Sequence, residues 1–323
     1  MRLVAPKDLY FLSVIAFIKI VALSPSRRLR ELAIGTLAAA AYRFSRTKRQ
    51  RSEKNLSRAF AGTLNQEQKQ RIIKGAFVRF WQEMCDWLPS HTASAAIQGA
   101  ETHGVEQLRS ALKREKGAIL WESNGFGSRI LAKRILHENG FSLHQIHGAN
   151  DLGGFLHDVS GTTWLRERVI KHFFKQREKL FVTETIRLPH SNSLEFTRLL
   201  VTLLNRNAIL CVSGDGKDGQ KLIRVEFLAV PTPFASGMVS LARLSGAPIL
   251  PMFCIQRSDG VITLTIADPI HMDRAAGRER ALEKSLKEYA SLLEAQVRRY
   301  PALYRNWHTL GEGVDDEAGS ERD

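Results

Sequence analysis

Gly117-Ala-Ile-Leu-Trp-Glu-Ser-Asn-Gly-Phe-Gly-Ser-Arg129 opens with a compact apolar run, Gly117 to Trp121, of the length a fully buried strand needs. A glycine-containing loop follows at once, and the pattern beyond it predicts a helix over Arg129 to Asn139. The same alternation continues downstream. A strand is expected at Ser142 to Ile146, a helical stretch around Trp164 to Arg177, a strand at Lys179 to Ile186, and a helix capped by Ser193 and running to Leu204. The strand Ala208 to Val212 runs into Ser213-Gly-Asp-Gly-Lys-Asp-Gly-Gln220, and a helix over Met238 to Leu244 precedes the strand within Gly246 to Pro251. Strands alternating with helices predict an α/β fold, a single mixed and mostly parallel sheet covered by helices on both faces. Upstream, Val105 to Leu112 reads as a short helix. Gln66 to Leu88 reads as a longer amphipathic one, with Ile72, Ile73, Phe77, Phe80, Trp81, Met84 and Trp87 at three- and four-residue steps.

The 323 residues carry 47 Lys and Arg against 33 Asp and Glu, a net charge of +14, with 44% hydrophobic residues. That composition excludes a disordered, collagen-like or low-complexity chain. Cys85, Cys211 and Cys254 are widely spaced and form no C-x-x-C pair, so neither a disulfide framework nor a zinc site is indicated, and a reducing compartment fits. Residues 312–323 hold six acidic side chains and one arginine, a net −5, which leaves +19 on the rest. Such an excess calls for a polyanionic partner.

The N-terminus points to which. Leu9 to Leu23 (LYFLSVIAFIKIVAL) is mostly apolar, and between Arg27 and Arg58 there are ten basic and two acidic residues. An apolar segment beside a basic run is the pattern of a cytoplasmic leaflet's anionic surface, although fifteen residues are short for a full span. The alternative is a pair of buried helices with a solvated basic face. Nucleic acid is not favoured, since no recognised module and no aromatic interleaving accompany the basic run. Three segments follow: residues 1–58, membrane-associated helices led by an N-terminal apolar membrane-anchoring helix; 59–311, the α/β domain; and 312–323, an acidic disordered tail.

Asn55-Leu-Ser-Arg-Ala-Phe60, Gly99-Ala-Glu101 with Gly117-Ala-Ile-Leu120, Gly237 to Pro251, and Tyr300-Pro-Ala-Leu-Tyr-Arg-Asn-Trp-His308 together resemble the bacterial lysophospholipid acyltransferases of the late lipid A acyltransferase type, lauroyl and myristoyl transferases. The resemblance covers most of the chain. It implies a protein of the inner membrane's cytoplasmic face that moves a fatty acyl chain from a thioester, on acyl carrier protein or CoA, to a lipid or glycolipid acceptor. It implies no cofactor. The family's base is a His followed five positions later by Asp or Glu, directly after the strand that ends here at Glu122.

In this chain those two positions hold Asn124 and Arg129. An amide is no base near neutral pH, and a guanidinium cannot orient one as a carboxylate does. Either the catalytic group has moved, or the protein is a non-catalytic lipid-binding or assembly relative. Relocation offers Glu122, two residues before Asn124 and within reach of the pocket mouth, where apolar surroundings raise a carboxyl pKa; the alternative for it is an ion pair with Arg129. His190 and Glu195 are the one His-x4-Glu pair in the chain, ahead of a helix whose N-terminus Glu195 would complement in any case. His147, and less so His144, stand at the end of the next strand, as a substitute base or phosphate contact. Asp215 matches the family's Asp-bearing loop, with Lys217 beside it, although an Asp-Gly turn would suit the same residues. The expected catalytic set is Glu122, His147 and Asp215, with Asn124, Arg129, His144, His190, Glu195 and Lys217 binding substrate.

Overall fold

A computed structural model describes residues 3–24, 26–88, 96–148, 163–189, 193–215, 221–257, 259–273 and 277–311. The predicted tail, 312–323, lies outside them, as do His190 and Lys217. The seven-stranded sheet has the order β1 (Glu101–His103), β9 (Ile262–Ile266), β8 (Ile249–Gln256), β2 (Ala118–Glu122), β5 (Ile209–Ser213), β3 (Leu143–His147), β4 (Glu184–Arg187). From β8 to β4 all neighbours are parallel; β9 runs antiparallel to β8 and carries β1 parallel to itself. A separate hairpin pairs β6 (Leu222–Phe227) with β7 (Val230–Ala235).

Every residue of β2 is buried, as a central parallel strand requires. Its side chains alternate between two packed layers. Ala118 and Leu120 meet α5 (Val105–Leu112) and α6 (Arg129–Glu138), whereas Ile119 and Trp121 face the layer that holds α8 (Leu194–Asn205), α9 (Gly237–Ser245) and α10 (Arg278–Arg299). Trp121 stacks at 4.4 Å on Tyr289 of α10, whose hydroxyl donates to the Glu122 carbonyl at 3.0 Å. Helix and strand bounds fall within one or two residues of expectation through most of this layer. Two differ. Residues 179–183 close α7 (Lys171–Glu178) instead of starting a strand, because Val182 N–H still bonds the Glu178 carbonyl; a π-helical turn, Arg166–Ile170, leads into that helix. The strand expected within Gly246 to Pro251, β8, runs on to Gln256 because β9 pairs with its second half.

Ahead of the sheet come α1 (Pro6–Leu23), α2 (Arg27–Phe44), α3 (Arg46–Ala59) and α4 (Gln66–Asp86). No helix of the described residues is long and apolar enough to cross a membrane. The expected N-terminal anchoring helix is instead docked by one face: Phe11, Val14, Ile15, Ile18 and Val21 are buried with Trp81 and Met84 of α4. Asp8 is buried too, held by Arg166 at 2.7 Å and by the Thr163 hydroxyl at 2.7 Å. The opposite faces of α1 and α2 leave Leu9, Ile20, Leu23, Leu32 and Phe44 exposed.

Candidate active site

The parallel strands β2, β5 and β3 end side by side, and a cavity of about 1620 Å3 opens there. This is where open α/β sheets collect their ligand groups. Asn124 and Arg129 line it from the loop after β2, Ser213 and Asp215 from the end of β5, and His147 from the end of β3. Phe77, Phe80 and Trp81 give it an apolar wall from α4, and Leu200, Met238 and Leu241 another. Lys48, Arg51, Lys221, Arg243 and Arg278 bring positive charge to the same space.

The loop after β2 is over-determined by its partners. Asp215 accepts from Ser123 Oγ at 2.7 Å, from the Asn124 N–H at 2.5 Å and from the Gly125 N–H at 3.1 Å. Burial raises the Asp215 pKa, and those donors pull it only part of the way back, so it stays above the ordinary aspartate value. Arg305, from the chain's end, donates to the carbonyls of Asn124 (2.5 Å) and Gly127 (2.9 Å) and meets the carboxylate of Glu83. Gly127 has φ +64, and a Cβ there would overlap the Cys254 carbonyl. Arg129, first residue of α6, reaches Ser213 Oγ at 3.4 Å, and its buried Nε lies 3.8 Å from Glu83, too far for a hydrogen bond.

Glu122 does not reach the pocket mouth: it shares its strand face with Ala118 and Leu120, so its carboxylate turns under α6, 1% exposed. Nor does it pair with Arg129. Its partner is Lys133 of α6, also 1% exposed, with Nζ 3.1 and 3.2 Å from the two carboxylate oxygens and bonded as well to Gln145 Oε1. His144 points to the other side of β3 from His147, 3.9 Å from Glu184, and does not line the cavity. Glu195 is exposed in the first turn of α8, away from the cavity, while Ser193, Phe196 and Thr197 line it.

His147 does line the cavity, with its side chain 11% exposed. Its Nε2 lies 2.8 and 3.1 Å from the carboxylate oxygens of Glu178, the last residue of α7, itself 2% exposed. Burial raises the pKa of Glu178, but the His147 hydrogen bond and the charges of His147, Lys133 and Arg129 outweigh it, leaving the carboxyl below its ordinary range. Sequence reasoning missed Glu178, Lys133 and Arg305. Glu178 lies thirty-one positions from His147, so no spacing rule connects them. Arg305 stands inside the quoted closing segment, and that was its only signal.

Two of the segments quoted for the family resemblance, Asn55 to Phe60 and Tyr300 to His308, meet in space, and the second also reaches this loop. Asn55 donates to the Trp307 carbonyl at 2.8 Å, and Arg305 N–H donates to the Gly125 carbonyl at 2.7 Å. A family model for bacterial lipid A biosynthesis acyltransferases matches residues 2–138 and 162–310. The chain belongs to that family. Its members are acyltransferases that act in lipid biosynthesis, and an acyl donor and a lipid acceptor are their general substrates. A search among curated proteins matches none.

Proposed function

We propose that this acyltransferase-family protein takes a fatty acyl chain from a thioester, carried by acyl carrier protein or CoA, and transfers it to a hydroxyl of an anionic lipid or glycolipid. The observation that carries the reading is the cavity. Its aromatic and aliphatic walls suit an acyl chain, and its lysines and arginines suit phosphate or carboxylate groups of the acceptor. Asn124 and Arg129 line the same cavity at the end of β2, where they would meet the acceptor. Asp215 acts as a positioning residue, since its oxygens already hold the loop after β2.

Membrane association belongs to the same proposal. The exposed apolar side chains of α1 and α2 flank Arg27, Arg28, Arg43 and Arg46, which fits two docked helices lying in the interface of an anionic bilayer. The three cysteines are free, as suits the cytoplasmic face of the inner membrane.

The test is to delete the gene and compare whole lipid extracts by mass spectrometry. Loss of one acylated species, restored by the wild-type gene, is the expected result. An unchanged lipidome, together with lipid binding by the purified protein, would instead support the non-catalytic reading that the missing family base invites.

A further inference from the structure

We infer that His147 and Glu178 are the proton-transfer dyad of this cavity, a catalytic base and its orienting carboxylate on a strand other than the one where the family resemblance places them. The inference rests on the acyl-transfer reading above. Acyl transfer to a hydroxyl needs one group that takes the proton as the oxygen attacks and returns it to the leaving sulfur. Among the described residues two histidines line the cavity, His147 and His308, and the carboxylate of Glu178, 2% exposed, is set against the first. Asn124 has no basic atom. Glu83 is engaged by Arg305 and faces Arg129. Asp215 accepts from three donors of the loop after β2, so its use as a base would release that loop.

His147 combines position, chemistry and support. It ends β3, so the sheet's own geometry brings it to the cavity wall. Glu178 is nearly inaccessible and spends both oxygens on the His147 ring. Among the described residues the buried lysine is Lys133, and it is bonded to Glu122 and Gln145 instead. A buried carboxylate is costly unless something is gained by holding it there. In the neutral ring a carboxylate that can only accept takes Nε2–H, so the lone pair falls on Nδ1. A carboxylate oriented on one imidazole nitrogen, with the other nitrogen free to accept, is the arrangement that general-base acyl transfer uses on unrelated folds.

The step balances without a redox partner. The acceptor O–H proton passes to Nδ1 of His147 while the oxygen bonds to the thioester carbonyl carbon. The tetrahedral oxyanion then collapses, the C–S bond breaks, and the imidazolium returns its proton to the thiolate, leaving an ester and a free thiol. Glu178 stays ionised throughout.

The experiment measures thiol release from palmitoyl-CoA and from palmitoyl-acyl carrier protein by the full-length protein, with lipid extract of the deletion strain as acceptor. His147→Gln is expected to lower kcat about 100- to 10,000-fold, and Glu178→Gln at least about 100-fold, both with KM nearly unchanged. Glu178→Asp should recover part of the loss. A merely structural role for Glu178 would lower the melting temperature without this kcat-only pattern. Where Glu178→Gln melts early, His147→Gln, at the cavity wall, carries the test. Wild-type turnover with unaffected, folded variants overturns the dyad alone. A wild-type protein inactive with both donors overturns the acyl-transfer reading and the dyad together.

Discussion

The loop after β2 and the end of β3 are both at the cavity, and they are built in opposite ways. In the loop, polar groups are consumed: Asp215 takes the donors of Ser123, Asn124 and Gly125, and Arg305 takes the carbonyls of Asn124 and Gly127. At the end of β3 a single imidazole is held by a single buried carboxylate, which leaves one ring nitrogen for chemistry. The first arrangement makes a rigid frame for a ligand. The second makes a base. Hydrogen-bond bookkeeping, more than position in a motif, separates a framing residue from a reactive one.

Substitutions break that contrast in graded fashion. The largest effect belongs to His147→Gln, with its 100-fold or greater loss of kcat. In the neighbouring core, Lys133→Met leaves the Glu122 carboxylate buried and unpaired and should cost about 3–5 kcal/mol in a denaturant melt. Converting Glu122 to Leu in that background should recover much of it. Asp215→Ala strands the loop's donors and should cost about 1–3 kcal/mol, with kcat falling as the frame loosens. Stability against acid sharpens the dyad's side. Glu178 has a depressed pKa in the folded protein, so its stabilising contribution is present above the ordinary value of 4.5 and is lost as pH falls from there through the folded value. Melts of Glu178→Gln should lack that portion of the acid dependence. Smallest of all, Glu195→Gln should change stability by about 0.3–1 kcal/mol through the α8 N-terminus and leave kcat alone.

Much of the sheet was legible because buried parallel strands and amphipathic helices write their periods into the chain. Gly117 to Trp121 and Val105 to Leu112 correspond to β2 and α5 almost residue for residue. What failed had physical reasons. Lys179 to Ile186 carries strand-like residues, yet Phe181 and Val182 are buried against Trp87 and Phe174 as the cap of α7. Leu9 to Leu23 is apolar on all sides, and only packing assigns one face to Trp81 and leaves the other exposed. Glu122 was misplaced by a single alternation of its strand: the loop position is right and the side-chain direction is not. His147 was legible as a strand-end histidine. Glu178 was not, because the pairing that gives it meaning is made by the crossover between β3 and β4 rather than by spacing.

The most direct measurement sets the two regions against each other: kcat for His147→Gln and Asn124→Ala in one thiol-release assay, with melting temperatures taken alongside. A dyad at the end of β3 predicts a loss of about 100-fold or more for His147→Gln, and about tenfold at most for Asn124→Ala, the worth of one hydrogen bond to substrate. Wild-type turnover by folded His147→Gln, with Asn124→Ala the slower of the two, would contradict it and return the chemistry to the loop after β2.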